Sequence, residues 1–357
     1  MEKKNIDKFL GTGALTIVEA MQKIDLNAEG ILFIVGTDNK LIGVVTDGDI
    51  RRAIIRTGDL NLQISEIMNR NPRVVLQEER GKAPSLLKQY RIHAVAVIDV
   101  TERIIDIIFD SGNRIEISKN RQNTLQRIPV VIMAGGRGTR LYPYTKILPK
   151  ALIPIGDIPI VEHIMDRFRS VGVNHFYLTV NHKKNMIKSY LGEQNDDRII
   201  FVEEDKPLGT AGSLRLIRDR MNSPFFVTNC DILIQADYDD IYEYHLKAGN
   251  AVTIVSSLKN IEVPYGVIQF KENGNVLSLE EKPQLSYFIN TGLYVLNPEC
   301  IDRIPEHTFF HMTDLVERLL QEDQKIGMYP ISEESFLDMG EWEELQRMEQ
   351  KLKQTLD

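Results

Sequence analysis

Met133-Ala134-Gly135-Gly136-Arg137-Gly138-Thr139-Arg140-Leu141, closed downstream by Pro149-Lys150, is the stretch on which the reading of this chain turns. It follows Ile128 to Met133, an apolar, β-branched run of the length of a buried strand that feeds directly into the glycines. Gly135, Gly136 and Gly138 carry no Cβ and can take positive φ, so successive backbone N–H groups between Ala134 and Thr139 can turn inward as an anion-binding nest. Arg140 and Lys150 then supply two kinds of cation: a guanidinium for forked contacts to a pyrophosphate, and a compact ammonium for one phosphoryl oxygen. The run is not a Walker A loop, because no Gly-Lys-Ser/Thr follows, and it is not the dinucleotide GxGxxG fingerprint. The competing reading, a tight glycine turn beside two solvated cations, fits glycine pairs alone but not the full run with Pro143, Thr145 and Pro149-Lys150.

Length and charge set the frame around this loop. A chain of 357 residues, 43% of them hydrophobic, can bury two cores. Its 51 acidic against 43 basic side chains argue against a broad surface for nucleic acid or anionic membrane, so the expected partners are small anions held in a local cationic pocket. Cys230 and Cys300, the only cysteines, lack metal-ligand spacing and read as buried free thiols. Met1 to Asn5 opens without the apolar core of a signal peptide, and no later stretch is long enough to span a bilayer; a cytoplasmic location is expected.

Ahead of the glycine loop the chain repeats itself. In the first copy (about residues 1–62) Ala14 to Met21 reads as a helix, Ile31 to Val35 and Leu41 to Val45 as strands joined by Asp38-Asn39-Lys40, and Asp49 onward as a second helix. In the second (about 63–118) Ala83 to Tyr90 reads as a helix and Ala94 to Ile98 and Ile104 to Phe109 as strands. Residues 119–127 are polar and charge-rich and mark a linker, leaving 128–357 as one domain. The duplicated part resembles a tandem pair of cystathionine-β-synthase (CBS) domains, carried by Gly43-Val44-Val45-Thr46-Asp47-Gly48-Asp49-Ile50 and more faintly by Asp106 to Gly112. That resemblance implies an α+β module that regulates or dimerises an attached enzyme and can bind AMP or ATP, with Thr46 and Asp49 on ribose and phosphate. The second copy has Phe109 and Gly112 at the matching places, so one competent site is expected at most. Thr46 and Asp49 serve equally as a helix cap.

From Ile128 onward the chain resembles the sugar-1-phosphate nucleotidyltransferases, or nucleotide-sugar pyrophosphorylases. The likeness rests on the glycine loop and, in order, on Leu208-Gly209-Thr210-Ala211-Gly212, Thr228-Asn229-Cys230-Asp231, Tyr265-Gly266, Glu281-Lys282-Pro283, Asn290-Thr291-Gly292 and Phe336-Leu337-Asp338-Met339-Gly340. It implies a Rossmann-like, glycosyltransferase-A-like α/β domain with a mixed central sheet. It also implies in-line attack of a sugar phosphate oxygen on the α-phosphorus of a nucleoside triphosphate, chemistry that needs alignment and charge neutralisation rather than a covalent nucleophile. Arg140, Lys150 and Asp231 are the implied catalytic residues, and Asp231 with Asp338 the implied Mg²⁺ ligands. Ala134, Gly135, Gly136, Gly138, Thr139, Glu204, Gly209 and Thr210 would hold the nucleotide. Tyr265, Gly266, Glu281, Lys282, Asn290 and Thr291 would hold the sugar phosphate, although Glu281-Lys282 also reads as a solvated surface pair.

Base and sugar rest on fewer residues. The 208–212 run is closer to guanylyltransferases than to thymidylyl or uridylyl enzymes, and Glu204 stands where thymidylyltransferases carry a base-reading glutamine. A carboxylate accepts the neighbouring N1–H and N2 amine donors of guanine and repels the carbonyls of thymine and uracil, so GTP is the expected donor. An exposed acidic loop over Glu203 to Lys206 is the alternative. A CBS pair ahead of such a transferase is similar to the glucosamine-1-phosphate guanylyltransferases of bacterial legionaminic-acid biosynthesis, which implies GDP-glucosamine as product. Mannose-1-phosphate, or glucose-1-phosphate with a thymidylyl or uridylyl donor, is the alternative. A regulatory pseudo-enzyme would have lost Arg140, Lys150, Asp231 or Asp338, and all four are present. Glu341 to Leu356 reads as an amphipathic helix, and a homodimer or larger assembly is expected.

Overall fold

The computed structural model describes residues 6–110, 125–192, 198–340 and 348. Gly112, most of the expected linker, and the expected 341–356 helix apart from Met348 lie outside them. The chain divides into two units, Met1–Arg121 with Asn260–Tyr287, and Gln122–Lys259 with Phe288–Asp357.

The first unit repeats one pattern. Strands β1 (Leu10–Thr12), β2 (Ile31–Val35) and β3 (Leu41–Thr46) form a sheet in that order, β1 parallel and β3 antiparallel to β2. Strands β4 (Val74–Leu76), β5 (Ala94–Ile98) and β6 (Ile104–Phe109) do the same, and the register slips at the same place, Ile34/Val35 in one and Val97/Ile98 in the other. Phe9, Ile31, Phe33 and Val35 of the first copy share one buried cluster with Ala94, Ala96, Ile98 and Ile104 of the second, so each sheet covers the apolar face of the other. Helix α1 (Ile17–Asn27) starts three residues later than its apolar pattern predicts. The cause is a capping box: Thr16 Oγ1 accepts the Glu19 N–H at 3.2 Å while Glu19 Oε2 accepts the Thr16 N–H at 2.7 Å. Helices α2 (Asp47–Thr57) and α3 (Ala83–Tyr90) complete the two copies.

The second unit is built on β7 (Val130–Met133), every residue of which is buried. After it come helix α4 (Tyr144–Ile147), a small hairpin of β8 (Pro154–Ile155) and β9 (Ile158–Pro159), and helix α5 (Ile160–Ser170). Strand β10 (Phe176–Val180), helix α6 (Lys184–Gly192), β11 (Ile199–Glu203), helix α7 (Gly209–Gly212), β12 (Phe225–Asn229), β13 (Ile232–Ile234), helix α8 (Tyr238–Ala248) and β14 (Val252–Glu262) continue the chain. A hairpin of β15 (Gly266–Phe270) and β16 (Val276–Glu281) falls by its contacts in the first unit. Then β17 (Gln284–Leu296), helix α9 (Met312–Gln321), β18 (Ile326–Ile331) and β19 (Phe336–Asp338) follow.

Seven of these strands form a mixed sheet in the order β11-β10-β7-β12-β17-β14-β18. The first four are parallel and β17 runs against β12. Strand β7 shows why its sequence is apolar throughout: Val130 and Ile132 enter one core with Ile160, Ile164 and Phe168 of α5, whereas Val131 and Met133 enter another with Leu214, Ile217 and Leu315. From β7 the chain moves to β10 and β11 on one side and then to β12 on the other. That reversal opens a crevice at the carboxyl ends of β10, β7 and β12.

Phe226 on β12 sits at the centre of the α5-side core, its ring 5.3 Å from Phe168, 5.9 Å from Tyr238 and 5.9 Å from Tyr242. Phe226→Ala removes a fully buried ring from this aromatic cluster. Equilibrium denaturation of the second unit is expected to show a loss of about 3–5 kcal/mol.

Candidate active site

The glycine run leaves β7 directly at that crevice. Ala134 is buried and its N–H donates to the Thr179 carbonyl of β10 at 2.9 Å, so the strand pairing carries the chain up to the first glycine. Of the three glycines only Gly138 takes positive φ, 65°. A Cβ there would stand 2.9 Å from Thr145 Cγ2 and 3.1 Å from Lys150 Cβ, and Thr145 Oγ1 donates to the Gly138 carbonyl at 2.8 Å. Gly135 is close-packed for a different reason, since a Cβ there would meet Glu204 Oε1 at 3.0 Å and press the carboxyl aside. Gly136 faces open space, and Gly136, Arg137, Thr139 and Arg140 are exposed, as residues that meet a ligand must be.

Across the crevice, Lys150 Nζ pairs with Asp231 Oδ2, the two side chains being 11% and 15% exposed. Asp231 follows β12, and the short ladder of β13 with β19 brings Asp338 opposite Ile232, held by the Met339 N–H donating to the Asp231 carbonyl at 2.8 Å. Burial, and after it the neighbouring Asp231 charge, raises the Asp338 carboxyl above its ordinary value, while Lys150 and Arg140 act to lower it. Arg140, Lys150, Asp231 and Asp338 therefore share one electrostatic neighbourhood although they are spread over some two hundred residues of sequence. Two neighbouring, partly buried carboxylates suit a hard divalent cation that would take its remaining ligands from phosphate and water. Among the described residues no larger His, Cys, Asp or Glu cluster competes for one. Cys230, next to Asp231, is a buried free thiol whose pKa burial pushes up to about 12, so it is no nucleophile.

On the other side of β7, Glu204 is not on an exposed acidic loop. It is 5% exposed, its Oε2 accepts the Leu208 N–H at 3.2 Å, and burial raises its carboxyl above the usual range. Its neighbour Glu203 is the exposed one, held down to about 2 by Lys184 and Lys188. Gly209, at φ 80°, packs against the Phe310 main chain, whose carbonyl accepts the Ala211 and Gly212 N–H groups, both at 3.0 Å. The Thr210 hydroxyl is committed locally, accepting the Met312 N–H at 2.9 Å at the start of α9.

The residues expected on the sugar phosphate divide between the units. Asn290 Nδ2 donates to the Tyr294 hydroxyl at 2.7 Å, and the buried Thr291 donates through Oγ1 to the Val255 carbonyl at 2.7 Å, so both have partners within the fold. Tyr265, Gly266, Glu281 and Lys282 lie on or beside the β15–β16 hairpin in the other unit, all exposed, with Lys282 at φ 49°. In the N-terminal unit, Thr46 and Asp49 form a reciprocal cap on α2: Thr46 Oγ1 donates to Asp49 Oδ2 at 2.7 Å and accepts the Asp49 N–H at 3.3 Å, while Arg52 pairs with Asp49 Oδ1. The sequence reading passed over Asn181, His182 and Lys183, which leave β10 at the same crevice. The available signal was positional, a polar trio directly after the apolar strand Phe176–Val180.

A family model for nucleotidyl transferases matches residues 129–355, and one for CBS domains matches residues 13–56. The mannose-1-phosphate guanylyltransferase catalytic subunit beta of Xenopus tropicalis is 34% identical over 207 residues, 56% of this chain and 58% of that protein. Its counterpart in Dictyostelium discoideum is 36% identical over 182 residues, 49% of this chain and 51% of that protein. The chain thus spans little more than half the length of these curated relatives. Among solved structures, HddC from Yersinia pseudotuberculosis aligns with a TM-score of 0.51 at 26% identity, covering 63% of this chain and 99% of that one. The same protein complexed with GMP-PN aligns at 0.50. With the family model running from the strand before the glycine loop almost to the last residue, well over half the chain, this chain belongs to the nucleotidyl transferase family.

Proposed function

We propose that this chain transfers a nucleotidyl group from GTP to a sugar-1-phosphate, releasing pyrophosphate. The observation that carries the reading is the convergence of Arg140, Lys150, Asp231 and Asp338 beside a glycine loop at the sheet's switch point. An oxygen of the sugar-1-phosphate attacks the α-phosphorus in line, and the bond from that phosphorus to the α,β-bridging oxygen breaks as pyrophosphate leaves with the bridging oxygen. Both reactants are anions, so the site's task is to hold them in line and offset their charge. Backbone N–H groups of the glycine loop receive the triphosphate, Lys150 neutralises the α-phosphoryl oxygens, and Arg140 takes the charge that develops on the leaving pyrophosphate. Asp231 and Asp338 would hold a Mg²⁺ ion, which supplies Lewis-acid polarisation of the phosphoryl oxygens when bound.

For the donor, the guanylyltransferase names of the relatives and the GMP-PN complex of the structural neighbour support guanine, with Glu204 beneath Gly135 as the reader of its edge. For the acceptor, glucosamine-1-phosphate is our reading, resting on the CBS module fused ahead of the transferase, as in the guanylyltransferases of legionaminic-acid biosynthesis. The relatives' names favour mannose-1-phosphate as the second reading. The CBS module is proposed to bind AMP or ATP at Thr46 and Asp49, which must then leave their mutual cap.

Pyrophosphate release measured for four nucleoside triphosphates against glucosamine-, mannose-, glucose- and N-acetylglucosamine-1-phosphate, with and without AMP or ATP, tests these assignments together. Turnover is expected with GTP, and its absence under every pairing would leave a binding protein without catalysis. Asp231→Asn is expected to lower turnover ~10³-fold at saturating Mg²⁺ while the protein remains folded, with a lower melting temperature from the lost partner of Lys150. Glu204→Gln is expected to erode the preference for GTP over the other donors in the same assay. It also has a pH signature. A carboxyl whose folded pKa is raised loses stability as pH rises from its unfolded pKa through its folded one, so the variant should be the relatively more stable protein at neutral pH, with the difference closing as pH falls below the folded pKa to the unfolded one.

A further inference from the structure

Between Arg140 and Lys150 the chain packs inward at Leu141, Thr145 and Pro149 and lies exposed over most of the residues between them. Tyr142, Tyr144 and Ile147 are 55%, 47% and 75% exposed, and α4 is a single turn whose last carbonyls have no helical partners. Thr145 is the inward anchor of α4 at 2% exposure, and its hydroxyl and methyl fix Gly138. A polar restraint on its exposed side comes from the loop after β10. Lys183 Nζ donates to the Thr145 carbonyl at 2.9 Å and to the Lys146 carbonyl at 2.7 Å, closing the end of α4. To do so Lys183 holds a left-handed backbone, φ 55°, an unfavourable setting for a residue with a side chain. Its two predecessors reach the rest of the donor side: Asn181 Nδ2 donates to the Glu204 carbonyl at 2.8 Å, and the His182 N–H points to the Gly135 carbonyl at 3.5 Å.

We propose that Lys183 is a positioning residue for the donor phosphates: its ammonium fastens α4, α4 through Thr145 fastens Gly138, and Arg140 and Lys150 are thereby aimed at the triphosphate. The inference rests on the nucleotidyl-transfer reading above. Charge-assisted bonds to main-chain oxygens suit this work, because they hold the backbone on its exposed side. The ammonium acts through Thr145 and Lys146 and need not touch substrate.

The test uses the full chain. Lys183→Met keeps the aliphatic stem and removes the donor; kcat/KM for GTP is expected to fall about 10- to 100-fold. The KM for the sugar phosphate should stay within about twofold of wild type. Lys183→Cys alkylated with 2-bromoethylamine restores an ammonium at nearly the same reach, and Cys230 and Cys300 are buried against the reagent. This variant is expected to regain most of the lost rate. Hydrogen exchange over residues 138–150 without ligand should be faster in Lys183→Met and slowed again in the alkylated protein, a readout that stands even if wild type turns over no substrate pair and the functional reading fails. Unchanged kcat/KM for GTP and unchanged exchange in Lys183→Met would overturn the proposal. So would an alkylated protein as impaired as the methionine variant.

Discussion

The ion pair of Lys150 with Asp231 ties together parts of the second unit that share no strand pairing of their own. Lys150 ends the irregular segment that begins at the glycine loop after β7, and Asp231 lies two residues beyond β12, so the ion pair joins the segments that leave two paired parallel strands at their carboxyl ends. Neither side chain is buried deeply enough to forbid solvent, and neither is exposed enough for the pair to be negligible. Its sign matters more than its strength. On the proposed reading the crevice takes two polyanions and a cation, and the lysine balances the charge of an acid that also faces Asp338.

Much of this was legible in the sequence because the physics is local. An unbroken apolar run such as Val130–Met133 is what a strand covered on both faces requires, and the glycines directly after it mark where side chains would obstruct backbone or ligand. The mixed sheet was expected from the family resemblance and not from patterning, whereas the strands Ile31–Val35, Ala94–Ile98 and Ile104–Phe109 and the helix Ala83–Tyr90 fall where their periodicity puts them. The start of α1 was misplaced because apolar spacing was followed past Thr16-Ile17-Val18-Glu19, whose cap decides where the first helical hydrogen bond forms.

The rest depended on tertiary geometry. Nothing in the run Glu203-Glu204 says which carboxylate turns inward; the alternation of β11 and the approach of Gly135 decide it. The freedom expected of all three loop glycines is used by Gly138 alone, while Gly135 lies close against the Glu204 carboxyl. Hydroxyls assigned to ligands, such as those of Thr210 and Thr46, are engaged in ending or starting helices, because a sequence pattern does not distinguish an oxygen that caps from one that recognises. Lys183 was invisible for the opposite reason: its partners are main-chain carbonyls, which carry no sequence signature.

The ladder of β13 with β19 has a consequence for biosynthesis. Asp231 and Asp338 are made far apart in time, and the second acid reaches its place only when Phe336–Asp338 lies down beside Ile232–Ile234. A nascent chain that has already folded its glycine loop and β12 carries one carboxylate of the two, so the order of translation withholds the finished acidic pair until the chain has been made through Asp338.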